Sequence, residues 1–288
     1  MAGATGQQGG AVARSLLKRG FTVRGLTRDP SKKPEGLDGR IDWVQGDLQV
    51  AGTLETALQG ADGFYIVTTP FAGGFQKPPD IEGEIRAGTV ALETALRAKT
   101  PHVVLSTVMG IRGQTQPTGI PHLDSKMKIE QRARTLGVPI TIVRPSFFME
   151  NLFQPWVLEP FKTGVVSLPV KPSTKLSMVS VRDIGEIVAR AFEQPDRRIG
   201  TEVDLQGDTK TYPEVVELMA HRLGTPARFV EMSDENALKY LGKEMQRMYR
   251  GFDRGMPTID VAGLERDWDI KMTRFEDLVK ETGLLTSG

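Results

Sequence analysis

Three glycines near the head of the chain, Gly3, Gly6 and Gly9 in "GATGQQG", are spaced G-x-x-G-x-x-G directly ahead of an amphipathic run. The spacing is a variant of the dinucleotide fingerprint G-x-G-x-x-G. One glycine lets a strand turn sharply, one lets a pyrophosphate approach the backbone, and one lets helix and strand pack closely. Free amides and the positive helix end then face the phosphates. Further on, "VRGLTRDPSKK" places Arg28 at the end of the next strand, with Lys32 and Lys33 close behind. An acid at that place binds adenosine ribose hydroxyls, whereas an arginine accommodates a 2′-phosphate. Arg28 therefore points to NADP(H), with Asp29 as a complication, because an acid one residue later can serve a ribose hydroxyl. Asp47 in "QGDL" follows another strand end, placed either to bond the adenine amino group or to cap the following loop.

Composition narrows the remaining chemistry. The 288 residues contain no cysteine, which removes disulfides, thiolate metal sites and cysteine nucleophiles. The three histidines, His102, His122 and His221, form no metal-ligand cluster in sequence, and no metal is expected. A net charge of +1 gives no field toward nucleic acid or membrane, and no apolar run is long enough to span a bilayer. With no signal peptide ahead of the first motif, a cytoplasmic protein is expected. Direct nucleic-acid binding is not expected, since neither a helix-turn-helix nor a basic stripe is present.

The glycine turn needs elements to hold it. Val12, Leu16 and Leu17 share one face of a helix running from Gln8 to Arg19. Strands are expected at 21–27, 41–47, 61–70, 101–110 and 138–146, with helices between them marked by Leu54 and Leu58, by Ile81, Ile85, Leu92 and Leu96, and by Ile129, Ala133 and Leu136. This alternation implies right-handed βαβ units and a parallel sheet. The fold class is α/β, a Rossmann-like doubly wound parallel sheet with a small helix-rich C-terminal lobe. Residues 1–150 with a returning segment at about 176–205 are expected to form the NADP-binding domain, and 151–175 with 206–288 the smaller substrate or partner lobe. In that lobe Thr211 with Glu214, and Thr273 with Glu276, read as capping boxes. Ala237, Tyr240, Leu241, Met245 and Met248 read as a core stripe.

Taken together, "GATGQQGGAVARSLL", "VRGLTRDPSKK", "VQGDL", "VTT", "PHLDSKMKIE" and "VRPSFFMENL" resemble the NmrA-like family of atypical short-chain dehydrogenase/reductases, and most of all the HSCARG-type NADPH-binding proteins. The resemblance implies a substrate cleft between the two domains. It implies a phosphate turn made of Gly3, Ala4, Thr5, Gly6, Gln7 and Gln8, with Gly9 behind it, and a 2′-phosphate clamp of Arg28 and Lys32. It further implies that Asp47 and Leu48 flank the adenine, that Thr68 and Thr69 line the path to the nicotinamide ribose, and that Phe148, Met149, Glu150 and Asn151 lie along the nicotinamide. Arg86 is a further lining candidate, and Ser106 and Thr107 face the same cleft.

Active members of that superfamily carry Tyr-x-x-x-Lys, whose i, i+4 spacing puts both side chains on one helix face. Here the matching residues are His122 and Lys126. Lys126 is then expected to hold the nicotinamide ribose. His122 either donates a proton in place of the tyrosine or only shapes the cleft. The resemblance thus implies an NADP(H)-binding redox sensor or regulator with weak or no dehydrogenase activity and a regulatory protein partner. The alternative is an NADPH-dependent reductase of a quinone or other small carbonyl compound.

The family pattern places an apolar strand before the first glycine, between the strands at 21–27 and 61–70. Here only Met1 and Ala2 stand there. The expectation is a missing first strand and a natural start upstream of Met1.

Overall fold

The computed structural model describes residues 1–29, 31, 37, 39–71 and 78–282. Its first elements are α1 (Gln7–Lys18), β1 (Arg24–Thr27), β2 (Asp42–Gln45), α2 (Ala51–Leu58), β3 (Gly63–Val67), α3 (Ile81–Arg97), β4 (His102–Ser106), α4 (Pro121–Leu136) and β5 (Ile140–Pro145). Next come β6 (Phe147–Phe148), α5 (Pro155–Leu158), β7 (Val165–Leu168), β8 (Lys175–Val179), α6 (Val181–Glu193), α7 (Pro195–Arg198), β9 (Glu202–Leu205) and β10 (Asp208–Thr211). The chain ends with α8 (Tyr212–Leu223), β11 (Arg228–Glu231), α9 (Asp234–Tyr240), α10 (Gly242–Phe252), α11 (Val261–Trp268) and α12 (Phe275–Glu281).

These elements form two units. The first comprises Met1–Pro145 with Val181–Asp204, and the second Ser146–Ser180 with Leu205–Gly288. In the first unit a sheet of order β3-β4-β5-β9 has parallel β3, β4 and β5, and β1 pairs parallel with β2. Alternation along the strands sends Phe64, Ile66, Val103 and Leu105 to one face, where they pack with Leu54 and Leu58 of α2, Ala91 and Leu92 of α3, and Ile129 and Ala133 of α4. On the other face α6 packs against β4, β5 and α1. Helices on both faces make the parallel sheet doubly wound, as expected for strands this apolar.

Between the β1–β2 pair and the four-stranded sheet runs a two-residue link. The Met1 nitrogen donates to the Arg24 carbonyl (2.6 Å) and the Met1 carbonyl accepts from Leu26 N–H (2.9 Å). On the other side Ala2 N–H donates to the Tyr65 carbonyl (2.9 Å). These are parallel ladder bonds to both neighbours, so Met1 and Ala2 lie in register between β1 and β3 and lead into the glycine turn.

Helix α1 is pressed onto α6. A Cβ on Gly185 would lie 2.7 Å from the Ala11 carbonyl oxygen, so only glycine permits this approach. Ser15 Oγ donates to Glu186 (3.0 Å), and Arg19 bonds Glu186 (2.7 Å) and Glu193 (2.9 Å).

In the second unit β8 pairs antiparallel with β10 and parallel with β6, and β11 pairs parallel with β7. Met149, Leu176, Met178, Val215, Met219 and Phe275 are among its core residues. The boundary therefore differs from the expected one. Residues 146–150, read as Rossmann, pair or pack with this unit, and so does β8, read as part of the returning segment, because its ladder partners Phe147 and Asp208 are here.

The capping box of Thr211 and Glu214 forms, with Thr211 Oγ1 accepting from Glu214 N–H and Glu214 from Thr211 N–H. The one expected at Thr273 does not: Arg274 is the N-cap of α12, with no side-chain capping bond. The stripe from Ala237 to Met248 is not one core face either. Gly242, at φ +78, interrupts the helix, so the two halves do not share a phase, and Tyr240 is 64% exposed while Ala237 is buried.

Candidate functional site

At the glycine turn the chain reverses at Gly3, whose φ of +67 favours glycine and whose missing Cβ would meet Val67 at 2.6 Å. A Cβ on Gly9 would stand 2.0 Å from the Gly3 carbonyl oxygen, so α1 packs directly on the turn. Gly6 is the N-cap of α1 without a side-chain cap. The first amides of the helix therefore have no intrahelical acceptor. Gly3, Thr5, Gly6 and Gln7 are exposed, while Ala4, Gln8 and Gly9 are buried beneath them. Gln8 Nε2 donates to Ser106 Oγ (2.6 Å), fastening the start of α1 to the end of β4. An open row of amides at the positive end of a 12-residue helix fits a pyrophosphate.

Arg28 follows β1 directly and is exposed. The carboxylate of Asp29 accepts from Ser31 N–H (3.0 Å) and Ser31 Oγ (2.6 Å), so it closes its own loop. Lys32 and Lys33 lie outside the described residues. Asp47 accepts from Gln49 N–H (2.9 Å), a loop cap that leaves its second oxygen available. Leu48 packs against the first unit's core. Gln49 also accepts from Arg86 Nε (2.9 Å), which brings Arg86 beside the Asp47 loop.

A third group forms where β3 ends and α4 begins. Lys126 is buried, and its ammonium donates to the Thr68 carbonyl (2.5 Å) and Thr68 Oγ1 (2.9 Å) and pairs with Glu84 Oε1 (2.8 Å). Three N–H groups thus have three acceptors inside the protein. Thr68 Oγ1 in turn donates to Glu84 (3.1 Å), and Ser125 Oγ donates to the other Glu84 oxygen. For Lys126 to hold a ribose hydroxyl, one of these three bonds must be exchanged. Thr69 is exposed, its hydroxyl accepting from Phe71 N–H (3.2 Å).

His122 lies one turn before Lys126, partly buried, its ring 6.3 Å from that of Phe71. Burial pushes its pKa down to about 4, further lowered by the Lys126 charge and opposed by Glu84 and Asp124. At neutral pH the imidazole is uncharged and is a poor proton donor. His102 is a buried core residue whose Nε2 lies 2.9 Å from Thr141 Oγ1, and His221 is exposed. Thr107 Oγ1 donates to Glu130 (2.6 Å), a scaffold bond.

Phe148, Met149, Glu150 and Asn151 belong to the second unit. The Met149 side chain is fully buried in that unit's core, and Glu150 accepts from Ser180 Oγ (2.6 Å). The first unit thus brings together the glycine turn, Ser106, the loops carrying Arg28 and Asp47, Arg86 of α3, and the Thr68–Lys126 group.

Sequence reasoning missed Glu84. The signal was its phase: Glu84, Ala87, Ala91 and Ala95 are buried on one face of α3, so a lone carboxylate sits on an apolar stripe. Among the described residues no group of three or more His, Asp or Glu side chains is arranged to hold a metal, and no helix is long and apolar enough to cross a membrane.

A family model described as the NmrA-like family matches residues 1–279. An NAD(P)H azoreductase of Xenophilus azovorans is 26% identical over 235 residues, covering 82% of this chain and 77% of that protein. Among solved structures, the NADPH-dependent quinone oxidoreductase of Escherichia coli complexed with NADPH has a TM-score of 0.80 at 20% identity, covering 97% of both chains. NmrA, a negative transcriptional regulator, has a TM-score of 0.74 at 20% identity, covering 98% of this chain and 94% of that one.

Proposed function

The chain belongs to the NmrA-like family, and we propose that it binds NADP(H) and reports cofactor state to a protein partner, with weak or absent dehydrogenase activity, as the HSCARG-type members do. The observation that carries this reading is a complete phosphate turn accompanied by a histidine, His122, that burial keeps neutral where a catalytic tyrosine would stand.

In this reading the amides of Gly3 to Gln8 hold the pyrophosphate and Arg28 holds the 2′-phosphate. Lys32 completes the clamp. Asp47 and Leu48 flank the adenine, with Arg86 at the rim. Thr68, Thr69, Ser106 and Lys126 serve the nicotinamide ribose. NADPH supplies a hydride when bound. The residues described here bind and orient it, and the His122 imidazole, uncharged at neutral pH, is a poor proton donor. The names of the azoreductase and quinone oxidoreductase relatives support a second reading, as a reductase. Its acceptor must take hydride without help from a strong acid, as quinones do, and draw its proton from water.

Calorimetric titration with NADPH, NADP⁺, NADH and NAD⁺ tests the shared premise. NADPH is expected to bind at least about tenfold more tightly than NADH, about 1.4 kcal/mol. Equal affinity would refute the role of Arg28. A panel of quinones, azo dyes and aldehydes, followed by NADPH absorbance, then separates the readings. Turnover of quinones or dyes establishes the reductase, and no turnover with cofactor-dependent partner binding establishes the sensor.

A further inference from the structure

The second unit holds a cavity of about 550 Å³ whose lining is mostly polar. That size suits a small metabolite. Its floor is one face of the β8–β10 ladder. Alternation sends Leu176 and Met178 into the core and turns Ser177 to the opposite face, across from Thr209. Residues 171–175 form one wall and residues 252–258 the other. Asp253 ties the walls together: its Oδ1 accepts from Lys171 N–H (3.0 Å) and Thr174 Oγ1 (2.5 Å), and its Oδ2 from Arg250 (3.4 Å).

A sheet face turned to water is ordinarily polar, but this one is covered: Gln206 is 8% exposed and Ser177 5%. Buried polar groups are as a rule hydrogen-bonded. Gln206 Nε2 donates to Thr209 Oγ1 (2.8 Å), yet its Oε1 has no partner, and among the described residues the Ser177 hydroxyl has none either. Turning the carboxamide over keeps the bond to Thr209, whose hydroxyl both donates and accepts, and strands the amide nitrogen instead. The floor therefore lacks partners for a hydroxyl and for one end of an amide. Alcohol groups, which donate and accept at once, supply both. The charge at the rim is positive. Asp253 is committed to its three donors, whereas the exposed Lys171 and Lys175 make no ion pair among the described residues, Lys175 lying only within longer electrostatic reach of Glu214. Phe252, Met256 and Pro257 add apolar surface for a short carbon chain.

We propose that this cavity binds a small polyhydroxylated organic anion, with its hydroxyls on Ser177, Thr209 and Gln206 and its carboxylate or phosphate at Lys171 and Lys175. A quinone or an azo group offers neither the alcohols nor the charge, so the ligand class differs from the acceptors considered above. The assignment uses residues of the second unit alone and is independent of the cofactor reading.

The test is calorimetry of the full chain with gluconate and with glucose 6-phosphate, against acetate, inorganic phosphate and sorbitol as controls. At least one of the two polyhydroxylated anions is expected to bind saturably at one to one, about tenfold or more tighter than the controls, which lack either the hydroxyls or the charge. The tighter of the two identifies the anionic group. Lys171→Met combined with Lys175→Met should weaken binding about tenfold, and Ser177→Ala, which removes one hydroxyl, about threefold. Circular dichroism checks that both variants fold. Methyl NMR should show the Met256 signal shifting with ligand, whether or not the chain binds NADPH, so the result stands apart from the cofactor titration. No saturable binding of either anion at about 10 mM, equal binding of acetate or inorganic phosphate, undiminished binding to both folded variants, or an unmoved Met256 signal overturns the proposal.

Discussion

Lys126 and Glu130 stand one turn apart on α4, each buried and each paired with an opposite charge, yet their surroundings differ. Glu130 accepts from Arg144 Nε and a second Arg144 nitrogen (both 2.8 Å), from Arg134 (2.9 Å) and from Thr107 (2.6 Å), and Arg144 also reaches Glu202 (2.5 Å). Burial opposes the Arg144 charge, but the bonds to Glu130 and Glu202 outweigh it and hold its pKa above the ordinary range. That cluster is bidentate, and the remaining Arg144 nitrogen, Nη1, lies 3.9 Å from Asp204 without a hydrogen bond. Lys126 has one carboxylate, two neutral oxygens of Thr68, and a neighbouring neutral histidine. The first arrangement fixes β5 against α4. The second leaves a cation whose bonds a ligand can replace. Both hold a buried ion pair; what separates scaffold from site is that the first is bound by several charged partners and the second by one.

Removing one partner from each cluster sharpens that contrast. Arg144→Met takes from Glu130 its two bonds to the buried guanidinium, leaving it Arg134 and Thr107, and should cost about 3–5 kcal/mol in denaturant unfolding, the usual result of breaking a buried pair. NADPH affinity of the folded fraction should be unchanged. Lys126→Met takes away the cation paired with buried Glu84, which keeps its bonds to Ser125 and Thr68, so the cost should be of the same order, about 3–5 kcal/mol, while calorimetry should show NADPH affinity falling about tenfold. If the two variants behave alike in both measurements, the distinction between scaffold and site collapses. Arg28→Ala should leave the melting curve within about 0.5 kcal/mol of the parent. It should weaken NADPH about tenfold and NADH hardly at all.

The smallest effect at neutral pH belongs to the histidines. Burial lowers both His102 and His122 to about 4, below an ordinary value near 6.5. Between those pH values the unfolded chain binds more protons, so the stability they contribute is full above about pH 6.5 and is lost as pH falls toward 4. His122→Gln should therefore be nearly silent at pH 7 and should flatten the acid limb of the melting temperature. A histidine NMR titration with a midpoint near 6.5 for His122 would reopen its case as a proton donor.

The glycine turn was legible because its demands are local: Gly3 needs a positive φ and Gly9 needs contact with a carbonyl, whatever the rest of the chain does. The five expected strands contain β1 to β5, although each β-branched run overstates its ladder by a few residues, since pairing needs a neighbour as well as propensity. Arg28 and Lys126 could be placed by motif. Glu84 with Lys126, and Glu130 with Arg144 and Glu202, could not, because those partners come from different elements, 14 to 58 residues apart where measured along the chain for Arg144. The side of the boundary on which β8 falls was illegible for the same reason: only its ladder to Phe147 and Asp208 decides it.

The grip of α6 on α1 has a temporal consequence. Ser15 and Glu186 are separated by 171 residues, and on a ribosome adding about 5–20 residues per second the second emerges roughly 10–35 s after the first. Throughout that interval the nascent polypeptide displays its nucleotide motif on a helix with one flank bare. The glycine turn is therefore among the last parts of its own unit to be fully packed, although it precedes α6 by most of that unit's length along the chain.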